Sequence, residues 1–232
     1  MKYRNLILGV SAGILTALSP LPSQNLEAKL MVNNVADDKI QREDTRRQLA
    51  NAFLEVGVGY YDAAKFREAQ IYLSDSFELF KTTKKPEGDL ELSKSALYLA
   101  HSYLMLALSE THQIKQRRKL QSSIDSYQKS IDEYETYVSN NASLLDAAKP
   151  ILAERLLFIT LCYYWLGEFE LGTDKAVEAL NLSANKDTLT SFGRMILDLP
   201  IPIINEIMAR IINSIGPNTT KELIDLIKNS KP

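Results

Sequence analysis

The sequence predicts an all-α protein made of helical hairpins, and three observations point to this fold class. Apolar residues recur every three or four positions over most of the 232-residue chain, which is the period of a helix that buries one side. The stretches 53–80 and 156–179 repeat one pattern of small and aromatic residues. No stretch shows a clear alternation of apolar and polar residues, which is the signature of a half-buried strand.

The first hairpin is predicted over residues 53–80. Gly57 and Tyr60 lie on the apolar stripe of its first helix, and Ala69 lies on the stripe of its second helix. The segment Asp62–Lys65 interrupts both stripes for only a few residues, as the turn between two antiparallel helices requires. Because Gly57 and Ala69 are small, the two backbones can approach closely at this level.

This hairpin resembles the tetratricopeptide repeat (TPR), a helix-turn-helix unit of about 34 residues with a small residue and a tyrosine on the first helix and an aromatic residue and alanines on the second. Gly57, Tyr60, Phe66 and Ala69 occupy the matching positions. The same spacing returns in a later unit that contains Leu156, Ile159, Thr160, Tyr163, Gly167, Phe169, Gly172, Ala176 and Ala179. A middle unit contains Leu99, Ala100, Tyr103, Leu120, Ser123, Tyr127 and Ser130, with an insertion of about three helical turns that lengthens both of its helices. The resemblance implies a helical-hairpin solenoid of about three repeats.

The repeat domain is predicted over residues 37–186, and its middle unit has the longest helices. These two helices are predicted at Leu90–His112 and Gln121–Val138, with the basic segment Lys115–Lys119 in the turn between them. A basic segment of this kind offers a contact with an acidic partner or a peripheral contact with anionic lipid, although a solvated turn is the favoured interpretation. Three short apolar helices follow in residues 187–232, and we expect them to cap the last repeat, because a solenoid must hide its terminal core.

The N-terminal region is predicted to carry an export signal. Residues 1–23 begin with Lys2 and Arg4 and continue into the apolar run Leu6–Leu18, which is the layout of a secretory signal peptide. This run is shorter than the roughly 20 residues that span a bilayer. We therefore expect a periplasmic or secreted protein, with an N-terminal membrane anchor as the alternative. Residues 24–36 are predicted to be an irregular linker.

The composition and the motifs exclude several classes of function. The net charge of −2 gives no basic surface for nucleic acid. On the single helix predicted for Leu90–His112, His101 and His112, the only two histidines, would lie about 16 Å apart, too far to bind the same metal ion. The single cysteine, Cys162, has no partner for a disulfide within the chain, and neither a Gly-x-Ser-x-Gly nucleophile nor a glycine-rich phosphate loop occurs. We expect a protein that is not an enzyme, with no catalytic residues, no metal and no cofactor.

The resemblance also implies a binding groove, because the first helix of each tetratricopeptide hairpin lines a concave surface. The residues that it places there are Leu54, Val58, Tyr61, Leu97, His101, Leu104, Leu157, Leu161, Tyr164 and Trp165. The lining is mostly apolar and lacks the ring of Lys, Arg and Asn that holds a terminal carboxylate in some family members. Either the Ile-rich C-terminal helices fold into or across this strip, which is the favoured arrangement, or the strip is open to an amphipathic helix, an extended peptide or a lipid-like ligand.

Two functions follow from the resemblance. The first is a non-catalytic scaffold that binds a protein or peptide partner in an exported, envelope-associated assembly. The alternative is a periplasmic binding component that holds a small apolar or anionic ligand, with Tyr61, His101, Tyr164 and Trp165 as the contacts. An enzyme of unassigned type ranks third, and no nucleic-acid partner is expected.

Overall fold

The computed structural model describes the backbone of residues 27–197 and 199–229 and the side chains of residues 41–196 and 199–225. The secondary structure of these residues is helical, without strands, which confirms the predicted all-α class. The helices are α1 (Glu27–Asp62), α2 (Phe66–Thr82), α3 (Leu90–Leu108), α4 (Gln113–Ser139), α5 (Leu145–Leu166), α6 (Phe169–Leu182), α7 (Lys186–Leu197), α8 (Ile201–Ser214) and α9 (Pro217–Asn229), with a 3₁₀ turn at Ala142–Leu144. The chain divides into residues 1–43 and residues 44–232. The signal peptide predicted at residues 1–23 lies outside the described residues.

Two boundaries differ from the prediction. Residues 27–36, which the sequence assigns to a linker, are the start of α1, and they contain neither proline nor glycine to interrupt a helix. Helix α3 ends at Leu108 and α4 begins at Gln113, so the basic segment Lys115–Lys119 is helical and not a turn. Positive charge near a helix N-terminus is unfavourable. Here Lys119 pairs with Glu110 at 2.7 Å, which offsets part of that cost.

Helices α1 and α2 form a tight antiparallel hairpin. The hydroxyl of Ser76 donates to the carbonyl of Ala50 at 2.9 Å. Gly57 faces the fully buried Leu73, and a Cβ added at Gly57 would lie 2.6 Å from Leu73 Cγ. Contact at this distance leaves no room for a methyl group, so the small residue sets how closely the two helices approach. In the turn, Ala64 has a φ of 56°, a left-handed conformation.

Buried serines join neighbouring helices throughout this part of the chain. The donors Ser76, Ser95, Ser123 and Ser130 bond to the carbonyls of Ala50, Leu73, Ala100 and Ser93, at 2.9, 3.3, 2.9 and 2.8 Å, respectively. A hydroxyl is small enough for close helix packing, and its hydrogen bond removes the cost of burying a polar group. The helices are therefore connected by polar contacts inside an otherwise apolar interface.

The C-terminal helices extend the main core. Helix α7 packs on α5 and α6, α8 packs on α6, and α9 packs on α7. Their buried residues Phe192, Ile196, Ile207, Ile211 and Leu223 belong to the same apolar cluster as those of α3 to α6. Helices α7 and α8, which belong to the region assigned to a cap, thus cover apolar surface of α5 and α6.

Candidate functional site

Aromatic side chains hold α1, α3 and α5 next to each other. The ring of Tyr61 on α1 lies 5.6 Å from Tyr98 and 5.9 Å from His101, both on α3. His101 in turn lies 4.8 Å from Phe158 on α5. We call the surface formed by α1, α3 and α5 the first-helix face, since these three helices contain all ten residues assigned to the groove. The rings make this face continuous from α1 to α5.

His101 is a packing residue in this arrangement. Its Nε2 atom is buried and has no hydrogen-bond partner among the described residues. Burial, and then the positive charge of Arg155, lower its pKa from 6.5 to about 4. The imidazole is therefore neutral at physiological pH. The Oη atom of the neighbouring Tyr127 is also buried and finds no hydrogen-bond partner in the part of the chain that the structure describes, and burial raises the pKa of Tyr127 well above 10.

A buried arginine fastens α5 to the two helices before it. Arg155 donates from Nη1 to Ser93 Oγ at 2.9 Å and to the Ser130 carbonyl at 2.8 Å. Its guanidinium lies 4.6 Å from the centre of the Tyr134 ring. Arg155 forms no ion pair with any residue that the structure describes, and burial lowers its pKa to about 10. Sequence reasoning missed this residue, although an arginine three positions after Leu152, on the apolar side of α5, was an available signal.

The N-terminal end of the first-helix face has an open depression of about 540 Å³ between α1 and α3. We call it the α1–α3 depression; it is lined by Asn51, Leu54, Glu55, Val58, Gly59, Asp62, Leu90, Glu91 and Lys94. Leu54 and Val58 are two of the predicted groove residues. Glu91 pairs with Arg47 at 3.4 Å, whereas Glu55 forms no ion pair with a described residue. The depression thus has an apolar floor and a charged rim.

The C-terminal end of the face has a larger cavity between α5 and α7, of about 660 Å³. We call it the α5–α7 trough; it is lined by Glu154, Leu157, Phe158, Leu161, Tyr164, Trp165, Phe169, Ser191, Arg194, Met195, Leu199 and Pro200. Leu157, Leu161, Tyr164 and Trp165 are predicted groove residues. Trp165 is 53% exposed, so this apolar ring is open to solvent.

The other four predicted residues line neither of these two openings. Tyr61 and His101 are half-buried among the aromatic contacts that join α1, α3 and α5. Leu97 is half-buried against the core.

Leu104 is only 4% exposed and belongs to the core. Unlike Leu54, Leu157 and Tyr164, which are as buried, it lines neither opening, so it is not accessible as the groove assignment requires. It faces inward because α3 is packed on both sides by α2 and α4.

The C-terminal helix beside the first-helix face is α7, not the Ile-rich α8. Helix α8 packs on α6, where Arg210 donates to Asp174 at 2.9 Å. Helix α7 presents Ser191, Arg194 and Met195 to the trough. Helix α7 therefore forms one wall of the α5–α7 trough, which runs along α5.

The described residues contain no group of His, Cys, Asp and Glu that could hold a metal ion. Among the same residues, no helix is long and apolar enough to cross a membrane. Cys162 is buried, its thiol contacts Ser123 Oγ at 3.6 Å, and burial raises its pKa to about 11, so it is poorly suited to act as a nucleophile.

Comparison with family models and with curated proteins identifies no family for this chain. The sequence matches no protein-family model. It also matches no curated protein. The function is therefore argued from the residues and the geometry of the chain itself.

Proposed function

We propose that this protein is a non-catalytic scaffold, a TPR-like solenoid of three hairpins with a C-terminal cap, which binds a segment of a partner protein on the first-helix face. Three contacts support the solenoid. Gly57 meets Leu73 in the first hairpin, and Ser123 bonds to Ala100 in the second. In the third hairpin, a Cβ on Gly172 would lie 2.5 Å from the ring of Tyr164.

The α1–α3 depression is the observation that carries the scaffold proposal. Glu55, Val58 and Asp62 follow each other at helical spacing on α1, so two carboxylates flank an apolar side chain. Neither Glu55 nor Asp62 forms an ion pair with a described residue, and Lys94 is the one unpaired base among the described residues of the lining. Charge complementarity therefore favours a partner segment with apolar residues next to Lys or Arg.

Site-specific photo-crosslinking tests the scaffold proposal. A photo-reactive amino acid replaces Asn51, which is exposed in the depression, or Ile71, which is 57% exposed on α2 and serves as the control. In cells of the source organism, we expect a discrete crosslinked polypeptide from position 51 and none from position 71. Equal crosslinking at both positions, or none at position 51, contradicts partner binding on this face.

A binding component for a small ligand is the second candidate function, and the α5–α7 trough favours it. Its volume of about 660 Å³ lies within the range of roughly 300–1,000 Å³ that is typical of ligand pockets. Its lining is mainly apolar and aromatic, with a few polar groups, as in many ligand sites. Native mass spectrometry of the protein purified from its source tests this candidate. A co-purifying small mass supports ligand binding, whereas a co-purifying polypeptide alone supports the scaffold.

We also propose that the chain is exported, with residues 1–23 as the signal. The support is the sequence layout, in which basic residues precede an apolar run too short to span a bilayer. The intact mass of the protein from its source tests this proposal. Loss of about the first 23 residues is expected, and a full-length chain recovered in the membrane fraction favours the N-terminal anchor.

A further inference from the structure

The α5–α7 trough is polar at one end and apolar at the other. Glu154 and Trp165 mark its two ends on α5, and their eleven-position separation along the helix corresponds to about 16 Å. Ser191 of α7 lies at the Glu154 end, because both residues also line a smaller adjoining depression. Leu199 and Pro200, which follow α7, therefore lie toward Trp165. The trough thus leads from charged residues into a region of rings and aliphatic side chains.

The smaller depression continues the polar end. Its volume is about 330 Å³, and it shares Glu154, Leu157 and Ser191 with the trough. Asp187 lines this depression but not the trough, whereas Arg194 lines the trough but not the depression. From the apolar end outward, the charged residues therefore follow the order Arg194, Glu154, Asp187. Among the described lining residues, one positive group is thus nearest to the apolar region, and two negative groups lie beyond it.

These three charges are available to a ligand. None of Arg194, Glu154 and Asp187 forms an ion pair or a side-chain hydrogen bond with a residue that the structure describes. An occupant that supplies the opposite charges would form charge-assisted hydrogen bonds, which are stronger than neutral ones. A simple fatty acid would satisfy Arg194 alone and would place its carboxylate near that of Glu154. A cationic amphiphile would satisfy the two acids and leave Arg194 facing a like charge.

We propose that the trough binds a single-chain zwitterionic amphiphile, in which the anionic group adjoins the hydrocarbon chain and an ammonium group lies beyond it. The chain lies along α5 between Leu157 and Trp165. The anionic group, such as a phosphate, contacts Arg194, and the ammonium group contacts Glu154 and Asp187. The assignment rests on the ligand-binding function proposed above and names the class of ligand.

Trp165 provides the readout, because it is the only tryptophan of the chain and lines the apolar part of the trough. Covering its 53% exposed ring with hydrocarbon shifts its fluorescence emission to shorter wavelength. The full chain is titrated with three probes that share a twelve-carbon alkyl tail: dodecylphosphocholine, tridecanoate and dodecyltrimethylammonium. Each probe is kept below its micelle-forming concentration, and far-UV circular dichroism checks that the protein stays folded. We expect saturable binding of dodecylphosphocholine, about fivefold tighter than that of either singly charged probe.

Charge-neutral variants assign the head group. Arg194→Gln should weaken dodecylphosphocholine and tridecanoate binding about fivefold each and leave dodecyltrimethylammonium binding no weaker than before. Glu154→Gln should weaken binding of the zwitterionic and cationic probes and leave tridecanoate binding unchanged. Arg118→Gln, which removes the same charge from an exposed position on α4, is the matched control and should change none of the three affinities.

The outcomes separate the two levels of the proposal. Equal affinity for the three probes, unchanged in the Arg194 and Glu154 variants, overturns the zwitterionic assignment and leaves the ligand-binding function in place. The absence of any saturable Trp165 shift with all three probes overturns both. Because the comparison among probes uses the wild-type chain, the result does not depend on how well the variants fold.

Discussion

Replacing Gly57 with alanine tests the packing of the first hairpin, and Gly59 on the same helix is its matched control. A Cβ at Gly57 would lie 2.6 and 2.8 Å from Leu73 Cγ and Cδ2 and 3.2 Å from the Leu73 backbone nitrogen. A Cβ at Gly59 would meet nothing within 4 Å. Both substitutions make the same chemical change two residues apart, so their difference reports the contact with α2.

The two effects can be estimated from the structure. Glycine to alanine at an open helical position stabilises the helix by roughly 0.8–1 kcal/mol, which is the expectation for Gly59→Ala. Gly57→Ala has the same gain, but the added methyl group overlaps a side chain that is 0% exposed and cannot swing into solvent. Overpacking of this kind costs about 1–3 kcal/mol. We therefore expect Gly57→Ala to be less stable than Gly59→Ala by about 1–3 kcal/mol.

Urea unfolding followed by circular dichroism at 222 nm measures both variants against the wild type. The variants should differ in midpoint with equal slopes. A double-mutant cycle with Leu73→Ala sharpens the test, because Gly57→Ala should lose its cost once the opposing side chain is gone. If Gly57→Ala stabilises the protein as much as Gly59→Ala does, the close approach of α1 and α2 at this level is refuted.

Three further predictions concern the middle of the protein. Arg155→Lys should lower the free energy of unfolding by about 1–3 kcal/mol in urea titrations, because a single ammonium group cannot both donate the two hydrogen bonds of Nη1 and stack as a plane on the Tyr134 ring. An unchanged stability would contradict the role of Arg155. The pKa of His101 is lowered from 6.5 to about 4 in the folded protein, so between these pH values the unfolded chain binds a proton that the folded protein does not. The free energy of unfolding should therefore fall by at most about 3 kcal/mol from pH 6.5 to pH 4. His101→Phe should remove this contribution to the pH dependence. Ser123→Ala should lower the free energy of unfolding by about 1 kcal/mol, because it removes the hydrogen bond from Ser123 to the Ala100 carbonyl on α3. Ser122→Ala removes a hydroxyl that bonds to no described residue and should leave the free energy of unfolding unchanged. Equal effects of the two variants would argue against the serine contacts.

The fold class follows from local patterns, which is why it could be predicted from the sequence. The apolar period marks the helices, and small residues such as Gly57 and Gly172 mark the contacts inside the hairpins. The boundary of α4 was predicted less well. Gln113 begins this helix after His112, whose side chain makes no capping hydrogen bond, so the usual start signal of Ser, Thr, Asp or Asn is absent. The charge of Lys115–Lys119 then pointed to a turn.

The candidate site depended on contacts that sequence spacing does not encode. Arg155 bonds to Ser93, 62 positions earlier, and no local pattern links these two residues. Likewise, α7 and α8 are both short and apolar, and only the packed structure distinguishes the wall of the trough from the helix on α6. The sequence pattern placed Trp165 on a helix correctly. The cavity beside Trp165 could not be predicted, because α7 forms its other wall.

Co-purification from the source cells tests most directly the claim that a partner polypeptide binds the first-helix face. The wild-type protein and two variants with reversed charges are each purified, and the partner polypeptide recovered with each is measured. The α1 variant, Glu55→Lys combined with Asp62→Lys, reverses the charges of two acidic residues that line the α1–α3 depression. Glu68→Lys combined with Asp75→Lys reverses two exposed acids at the same seven-residue spacing on α2. Quantitative mass spectrometry should find the partner with the wild type and with the α2 variant, and at least about fivefold less with the α1 variant. Equal recovery with both variants would contradict a partner-binding scaffold that uses the first-helix face.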